Sequence, residues 1–404
     1  MRFHRNISFA VIDALLAIFN EKEYADKVVA RALKLDKRWG SNDRKFVAET
    51  IYDIVRWKRL YAEIAEAKEP FTRDYVWRLF AIWAVLRGYT LPDWKYFEQT
   101  PVRRIKGKFD ELSKNRSIRE SIPDWMDEIC SKELGDDIWE KEIKAQNEQA
   151  RVILRVNTLK TTPQKLQELL NTLDIETETL KEYPDALILK ERANVFMTDA
   201  FKNGLFEVQD ASSQLVARFL DIQPGMRVVD ACAGAGGKTL HIASLLENKG
   251  QIIAMDLYES KLKQLKLRAK RNGVHNIDCR VIESTKTIKK LHEKADRVLI
   301  DAPCSGLGVL KRNPDSKWKL QPEFIENIKK TQQEVLENYS KIVKPGGKLV
   351  YATCSILPSE NQEQVEKFLT TEMGKNFIFV EDKKILAHES GFDGFYMALL
   401  ERKK

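Results

Sequence analysis

The chain has 404 residues, 43% of them hydrophobic and 32% charged, with a formal net charge of +8. That length holds two or three cores, and no apolar stretch reaches the roughly 18 residues of a membrane span, so a soluble cytoplasmic protein is expected. The five cysteines, at 130, 232, 279, 304 and 354, include no Cys-x-x-Cys pair, which argues against both a disulfide framework and a spaced zinc site. The residues from Met1 to Asn6 lack the apolar core of a secretory signal. The positive excess favours a polyanionic partner such as nucleic acid.

Up to about residue 140, apolar residues spaced by three and four predict helices over Ile7–Phe19, Asp43–Arg59 and Asp74–Leu86, with Ser41, Asn42 and Asp43 as a start signal. A small all-helical domain over 1–140 follows. The basic run Arg103, Arg104, Lys106 and Lys108 lies between Pro101 and a polar stretch, and reads as a loop free to touch phosphates. Residues 150–215 change pattern: Arg151–Asn157 and Ala186–Leu189 read as strands and Pro163–Leu170 as a helix, giving a compact α+β segment. Over 216–404, strands at Arg227–Asp230, Gln251–Asp256, Arg297–Asp301 and Lys348–Ala352 alternate with helix-length stretches, the rhythm of a doubly wound α/β sheet. Lys261, Lys263, Lys266, Arg268, Lys270 and Arg271 fall on one of those helices, where a solvated basic face is expected.

After the first of these strands comes Asp230, Ala231, then Cys232, Ala233, Gly234, Ala235, Gly236, Gly237 and Lys238, leading into the helical pattern Leu240–Leu246. Glycines at a helix start let the backbone approach a ligand closely. A phosphate-cradling loop would need glycine at Cys232, and a dinucleotide fingerprint would need it at Thr239, so the pattern points to an adenosine-like ligand without a pyrophosphate. The next strand ends in Asp256, where a carboxylate can accept hydrogen bonds from a ribose diol or simply cap the following helix.

Two further strands end in cysteines: Asp301, Ala302, Pro303, Cys304 closes one, and Thr353, Cys354, Ser355 the other. Both thiols therefore belong at the carboxyl edge of the sheet, where open α/β folds bind ligands. Buried cysteines are otherwise small hydrophobes. A thiolate that adds to C6 of a pyrimidine turns C5 into an enamine-like carbon able to accept a methyl group. A carboxyl at N3 would stabilise the charge that develops there, and Asp301 is placed for it. Methylation of an exocyclic amine would favour an aromatic residue after Pro303, where this chain has Cys304.

These residues resemble the RsmB/NOP family of S-adenosylmethionine-dependent RNA 5-methylcytosine methyltransferases over most of the chain. The resemblance implies a Rossmann-like class I methyltransferase domain, a small α+β RNA-contacting domain entered at Arg155–Asn157, and a NusB-like helical RNA-binding domain that includes Asn42–Trp57. It implies that the loop from Cys232 to Lys238 binds the methionine part of the cofactor, that Asp256 binds its ribose, and that Asp301 contacts both cytosine and cofactor. Cys354 becomes the attacking thiol and Cys304 the one that assists product release, while Glu283, with Asp278 as competitor, meets adenine. Gln209–Gln214, Gly308–Trp318 and Asp393–Tyr396 also resemble family signatures, whereas Gly234 and Ala235 replace the family's Ala-Pro. The implied substrate is small-subunit ribosomal RNA, free or partly assembled. A monomer is expected, since the chain supplies its own RNA-binding domains. Two other readings stay open: an RNA-binding assembly factor without turnover, and an ATPase built on Gly236–Thr239 with Asp301 holding a metal.

Overall fold

The computed structural model describes residues 3–98 and 100–404; Met1 and Arg2, within the stretch read for a leader, lie outside the described residues. The chain divides into two compact units, one running to Glu148 and including Leu310–Pro322, the other formed by Gln149–Val309 and Glu323–Lys404. No helix among the described residues is long and apolar enough to cross a membrane.

The first unit is helical, with Arg5–Phe19, Ser41–Arg56, Lys58–Ala65 and Arg73–Leu86 among its elements. Their apolar faces meet in a core that includes Val11, Leu15, Val47, Ile51, Trp77 and Phe80. The helix expected over Asp43–Arg59 begins near its start signal, where Gly40 N–H donates to Asp43 Oδ2 at 3.0 Å. It is interrupted at Trp57, whose φ of −103° and ψ of 21° leave the helical region. The basic run at 103–108 is not a loop: it lies in the helix Val102–Leu112. Val102, Ile105, Phe109 and Leu112 give that segment a helical apolar stripe, with Ile105 buried, and Arg104 and Lys108 both pair with Glu66.

Residues 310–322 belong to this helical unit although their chain neighbours on both sides do not. Lys317 explains their place. Its side chain is fully buried, and Nζ donates to Asn147 Oδ1 at 2.6 Å and to the carbonyls of Ser121, Arg56 and Glu120 at 3.2, 3.3 and 3.4 Å. Burial, with the Arg56 cation nearby, holds the Lys317 pKa well below its usual value, and Glu120 opposes this. Trp318 Nε1 donates to Val55 O at 2.7 Å, a second tether of the same segment.

The second unit contains two sheets among the described residues. The smaller is antiparallel, ordered β2-β3-β1-β4, from β1 (Ile153–Val156), β2 (Thr177–Leu180), β3 (Tyr183–Leu189) and β4 (Phe206–Val208). The larger is ordered β10-β11-β9-β8-β5-β6-β7, from β5 (Arg227–Asp230), β6 (Gln251–Asp256), β7 (Ile277–Val281), β8 (Ala295–Asp301), β9 (Val343–Thr353), β10 (Phe377–Ile385) and β11 (Phe395–Arg402). The five strands from β9 to β7 run parallel, and β11 and β10 close one edge antiparallel. Because successive side chains alternate, Val228, Ile252, Leu299 and Val350 fill one face of this sheet, and Val229, Ile253, Val298 and Leu349 the other. Both faces are covered at the centre of the sheet, so β5, β6, β8 and the second half of β9 carry apolar runs that could be read in the sequence, whereas half-buried β7 and largely exposed β10 do not. The order changes direction on either side of β5, and the crevice between β5 and β8 is the topological switch point.

A buried polar cluster joins the two sheets. Asp185 on β3 accepts two hydrogen bonds from Arg218, both 2.7 Å, and lies 2.8 Å from His241 Nε2 on the helix Gly237–Leu245. His241 Nδ1 has no partner, which fits a neutral ring that donates through Nε2. Burial, with the Arg155 and Arg218 cations, lowers the His241 pKa from 6.5 to about 4 although Asp185 opposes this. The unfolded chain therefore takes up a proton near pH 6.5 that the folded protein refuses until about pH 4. The cluster's contribution to stability is full above pH 6.5 and falls as the pH drops toward 4, by on the order of 3 kcal/mol. Urea unfolding between pH 7 and 4.5 is expected to show this loss in the wild type and a flatter dependence in His241→Gln; equal slopes would contradict the cluster's role.

Candidate active site

β8 and β9 are parallel neighbours with Asp301 opposite Ala352, so the two chains leave the sheet side by side. Cys304 follows β8 by three residues and Cys354 follows β9 directly, and their Sγ atoms lie 3.3 Å apart. Behind this pair the backbone is tightly packed. Gly308 N–H donates to Cys354 O at 2.9 Å, and Gly394 N–H donates to Gly308 O at 2.7 Å. A Cβ on Gly308 would stand 2.2 Å from Gly394 O and 2.8 Å from Cys354 O, so no larger residue fits without moving the Cys354 loop. This accounts physically for glycine in two of the sequence signatures.

Lys238, at the end of the glycine-rich loop, reaches across the switch point: Nζ lies 2.7 Å from Asp301 Oδ2 and 5.2 Å from the centre of the Phe395 ring. Burial alone would pull the Lys238 pKa down, but Asp301, together with the Cys354 sulfur and Asp230, raises it above the usual value. A fixed ammonium therefore stands within electrostatic reach of Cys354. The hydrogen bond to Cys354, followed by burial, pushes the Cys304 thiol well above the ordinary range. Cys304 thus keeps its proton and can donate it toward Cys354 Sγ. Cys232 is also raised, chiefly by burial and then by the carboxylates of Asp230, Asp301 and Asp256, which makes it an inert thiol.

The loop of Cys232, Ala233, Gly234, Ala235, Gly236, Gly237 and Lys238 connects β5 to the helix Gly237–Leu245. Asp256, at the end of β6, accepts Gly234 N–H through Oδ2 and Tyr258 N–H through Oδ1, both at 2.8 Å, so it holds the loop and also precedes the helix Glu259–Asn272. Glu283 lies two residues past β7 and is exposed, whereas Asp278 lies within β7, opposite Ile253, and binds Arg280. The sheet edge thus carries, in strand order, Cys354, Asp301 with Cys304, the loop, Asp256 and Glu283. It suits an elongated ligand with a cationic end and a ribose. At Gly234, whose φ is +54°, a Cβ would meet nothing within 4 Å, so the loop leaves open room for a bound group. Asp230 is buried, with Oδ2 bonded to Thr239 Oγ1 at 2.7 Å and no well-aligned donor at Oδ1; burial raises its pKa to about 7. That unfilled acceptor suits an amino group at the loop.

The loop is braced from the small sheet, which the sequence reading missed. Arg155 on β1 is buried and donates to Gly237 O and Gln209 Oε1. Burial lowers its pKa to about 10, so it remains a cation at neutral pH. Arg268 donates to Ala235 O at 2.8 Å and to Glu207 Oε2 on β4 at 3.0 Å, and Glu207 also holds Arg271 and, at 2.6 Å, Asn272. Burial pushes the Glu207 pKa up, but these cations and Asn272 outweigh it and keep the carboxylate charged. In the basic run 261–271 the four lysines are exposed and the two arginines turn inward. Arginine among lysines was the available signal, because its planar fork suits paired carbonyl and carboxylate acceptors.

A doubly wound sheet with a glycine loop after its first parallel strand, an acid at the end of the next, and two adjacent thiols across the switch point suits a transferase that uses a nucleoside cofactor. A family model for 16S rRNA methyltransferase RsmB/F matches residues 217–401, and one for the ferredoxin-like domain of RsmF/B-like methyltransferases matches residues 122–196. A protein named "Probable ribosomal RNA small subunit methyltransferase B" from Synechocystis sp. is 31% identical, covering 98% of this chain and 99% of its own length. Ribosomal RNA small subunit methyltransferase B of Vibrio cholerae is 35% identical over 79% of this chain and 71% of that protein. The crystal structure of PH0851 superposes with a TM-score of 0.84, at 27% identity and full coverage of both chains. The chain belongs to the RsmB/F family of methyltransferases. Its cofactor is S-adenosylmethionine, and the open loop, the unfilled Asp230 acceptor and the row of acids fit that molecule.

If Arg268 braces the loop, Arg268→Ala should weaken S-adenosylmethionine binding about tenfold, the worth of one charged hydrogen bond. Isothermal titration with cofactor checks this; an unchanged Kd would remove Arg268 from the account.

Proposed function

We propose that this protein methylates C5 of a cytosine in small-subunit (16S) ribosomal RNA through a covalent bond between Cys354 Sγ and C6 of the base. The observation that carries the reading is the thiol pair, 3.3 Å apart beside the Lys238–Asp301 ion pair at the cofactor end of the sheet. The relatives' names, ribosomal RNA small subunit methyltransferase B, support the choice of RNA.

The Cys354 thiolate, stabilised by the Cys304 proton and the Lys238 charge, adds to C6. Asp301 is placed to face N3, and the Lys238 ammonium that it holds offsets the negative charge that attack drives onto that nitrogen. Bound S-adenosylmethionine supplies the methyl group for C5. Once Cys354 Sγ is a neutral thioether, the main cause of the raised Cys304 pKa is gone. Cys304 then gives its proton to solvent more readily, and its thiolate takes the proton of C5; the electron pair of that C–H bond restores the C5–C6 double bond as the C6–S bond breaks and Cys354 leaves as a thiolate. Cys232 to Lys238 hold the methionine part, Asp256 the ribose and Glu283 the adenine; Asp278 is engaged with Arg280 inside β7.

The target base must leave its stack, which costs a few kcal/mol and is easiest in RNA that is free or partly assembled. The helical unit, read as NusB-like, and the small α+β segment each offer their own RNA contacts, so the enzyme works as a monomer. Free thiols at the site suit the reducing cytoplasm.

With labelled cofactor and unmodified small-subunit RNA, Cys354→Ala is expected to lose methyl transfer by at least about a thousandfold and to form no RNA crosslink. Cys304→Ala is expected to accumulate protein covalently bound to RNA. The opposite pattern would exchange the two roles, and wild-type RNA binding without incorporation would leave a binding factor only. Bisulfite sequencing of RNA from cells lacking the protein identifies the base.

A further inference from the structure

Each thiol is followed by a serine, and both serines converge on one buried carboxylate. Glu360 is fully buried. Its Oε1 accepts from Ser305 Oγ at 2.5 Å and Ser355 Oγ at 2.6 Å, and its Oε2 accepts from Ser305 N–H at 2.8 Å and Gln332 Nε2 at 3.0 Å. The two hydroxyl oxygens lie 3.2 Å apart, and Tyr351 OH donates to Glu360 O at 2.7 Å. The result is a closed ring: Cys304, Ser305, Glu360, Ser355, Cys354, and back across 3.3 Å to Cys304. Gln332 also ties Pro303 O into this ring at 3.0 Å.

The donors around Glu360 are hydroxyls, an amide side chain and a backbone N–H; none is a cation. A buried carboxylate without a counter-ion is costly, and four aligned donors are what makes it tolerable. Apolar packing would close two loops at lower cost. What a carboxylate adds is direction: two oxygens in one plane fix two hydroxyls, and each hydroxyl fixes the peptide next to a thiol. Neighbouring strands lie about 4.8 Å apart, so the two sulfurs reach each other only if both loops turn inward together.

We propose that Glu360 is a positioning residue that sets the separation of the two thiols by holding Ser305 and Ser355 at once. The proposal rests on the reading of Cys354 and Cys304 as the reacting pair, but the distance it concerns can be measured without turnover. Diamide removes two hydrogens from a pair of neighbouring thiols, becoming the hydrazine as the disulfide forms, and the rate reports how readily the sulfurs meet. With the full chain, wild type is expected to form the Cys304–Cys354 disulfide, detected by peptide mass analysis. Glu360→Gln is expected to slow it at least tenfold and lower kcat at least tenfold, with the Kd for S-adenosylmethionine within twofold of wild type. Ser305→Ala and Ser355→Ala should each show part of both effects, and Ser355→Thr, which keeps the hydroxyl, should restore them. These serine variants decide the matter if Glu360→Gln does not fold. Folded variants with wild-type oxidation rate and kcat would overturn the proposal. Oxidation that depends on Glu360 in a protein without methyl transfer would support the positioning role and reject the proposed function.

Discussion

Two sulfur atoms 3.3 Å apart, each just past the end of one of two adjacent parallel strands, are the constraint around which the large sheet is arranged. A parallel pair brings its carboxyl ends to one edge, so residues 50 positions apart in sequence can share a proton. An antiparallel pair would send the two loops to opposite edges. The outer antiparallel strands β11 and β10 bear no site residue; β11 instead supplies Phe395 beneath Lys238, and Gly394 just before it supports the Cys354 loop.

Charge follows the same order as the strands. The Lys238–Asp301 pair spans the crevice between β5 and β8, Asp256 binds the glycine loop from β6, and buried Asp230 lies at the loop's start. The loop's outward carbonyls, Ala235 O and Gly237 O, are held by Arg268 and Arg155. Those guanidiniums are anchored on Glu207 and Gln209, from β4 and the turn after it, so the small sheet contributes to the rigidity of the cofactor loop. This bears on Gly234 and Ala235, where the family pattern has Ala-Pro. A loop with more backbone freedom can keep one shape when its carbonyls are fixed from behind.

The central strands β5, β6, β8 and β9 were legible because buried parallel strands are apolar runs, and the loop because glycines before a helical pattern have few other uses; β7, β10 and β11, with charged residues among their apolar ones, were not read. Gln251–Asp256 and Arg227–Asp230 have in the structure the bounds read from sequence. Signals of local origin failed where packing decides. Arg103 to Lys108 looked like a loop because it lies between Pro101 and a polar stretch, yet Ile105 is buried and Glu66 neutralises part of the charge. The inward turn of Arg268 depends on Glu207, 61 residues away, and no periodicity reports such a partner. Glu360 was missed for a similar reason: its carboxylate reaches Ser305, 55 residues earlier, and only the repeated Cys-Ser pair hinted at a shared partner. Nor does a short basic segment such as 310–322 reveal that Lys317 will be buried among carbonyls of the helical unit.

Cys354, and not its neighbour, is the sulfur proposed to bond to the base. Fluorine at C5 cannot leave as a cation, so RNA carrying 5-fluorocytosine should halt the reaction after methyl transfer, with the enzyme still attached. Digestion and mass analysis of that adduct should place a methylated fluorocytidine on the peptide containing Cys354, in wild type and in Cys304→Ala alike. The adduct on Cys304, or its absence in a protein that methylates ordinary RNA, would contradict the account.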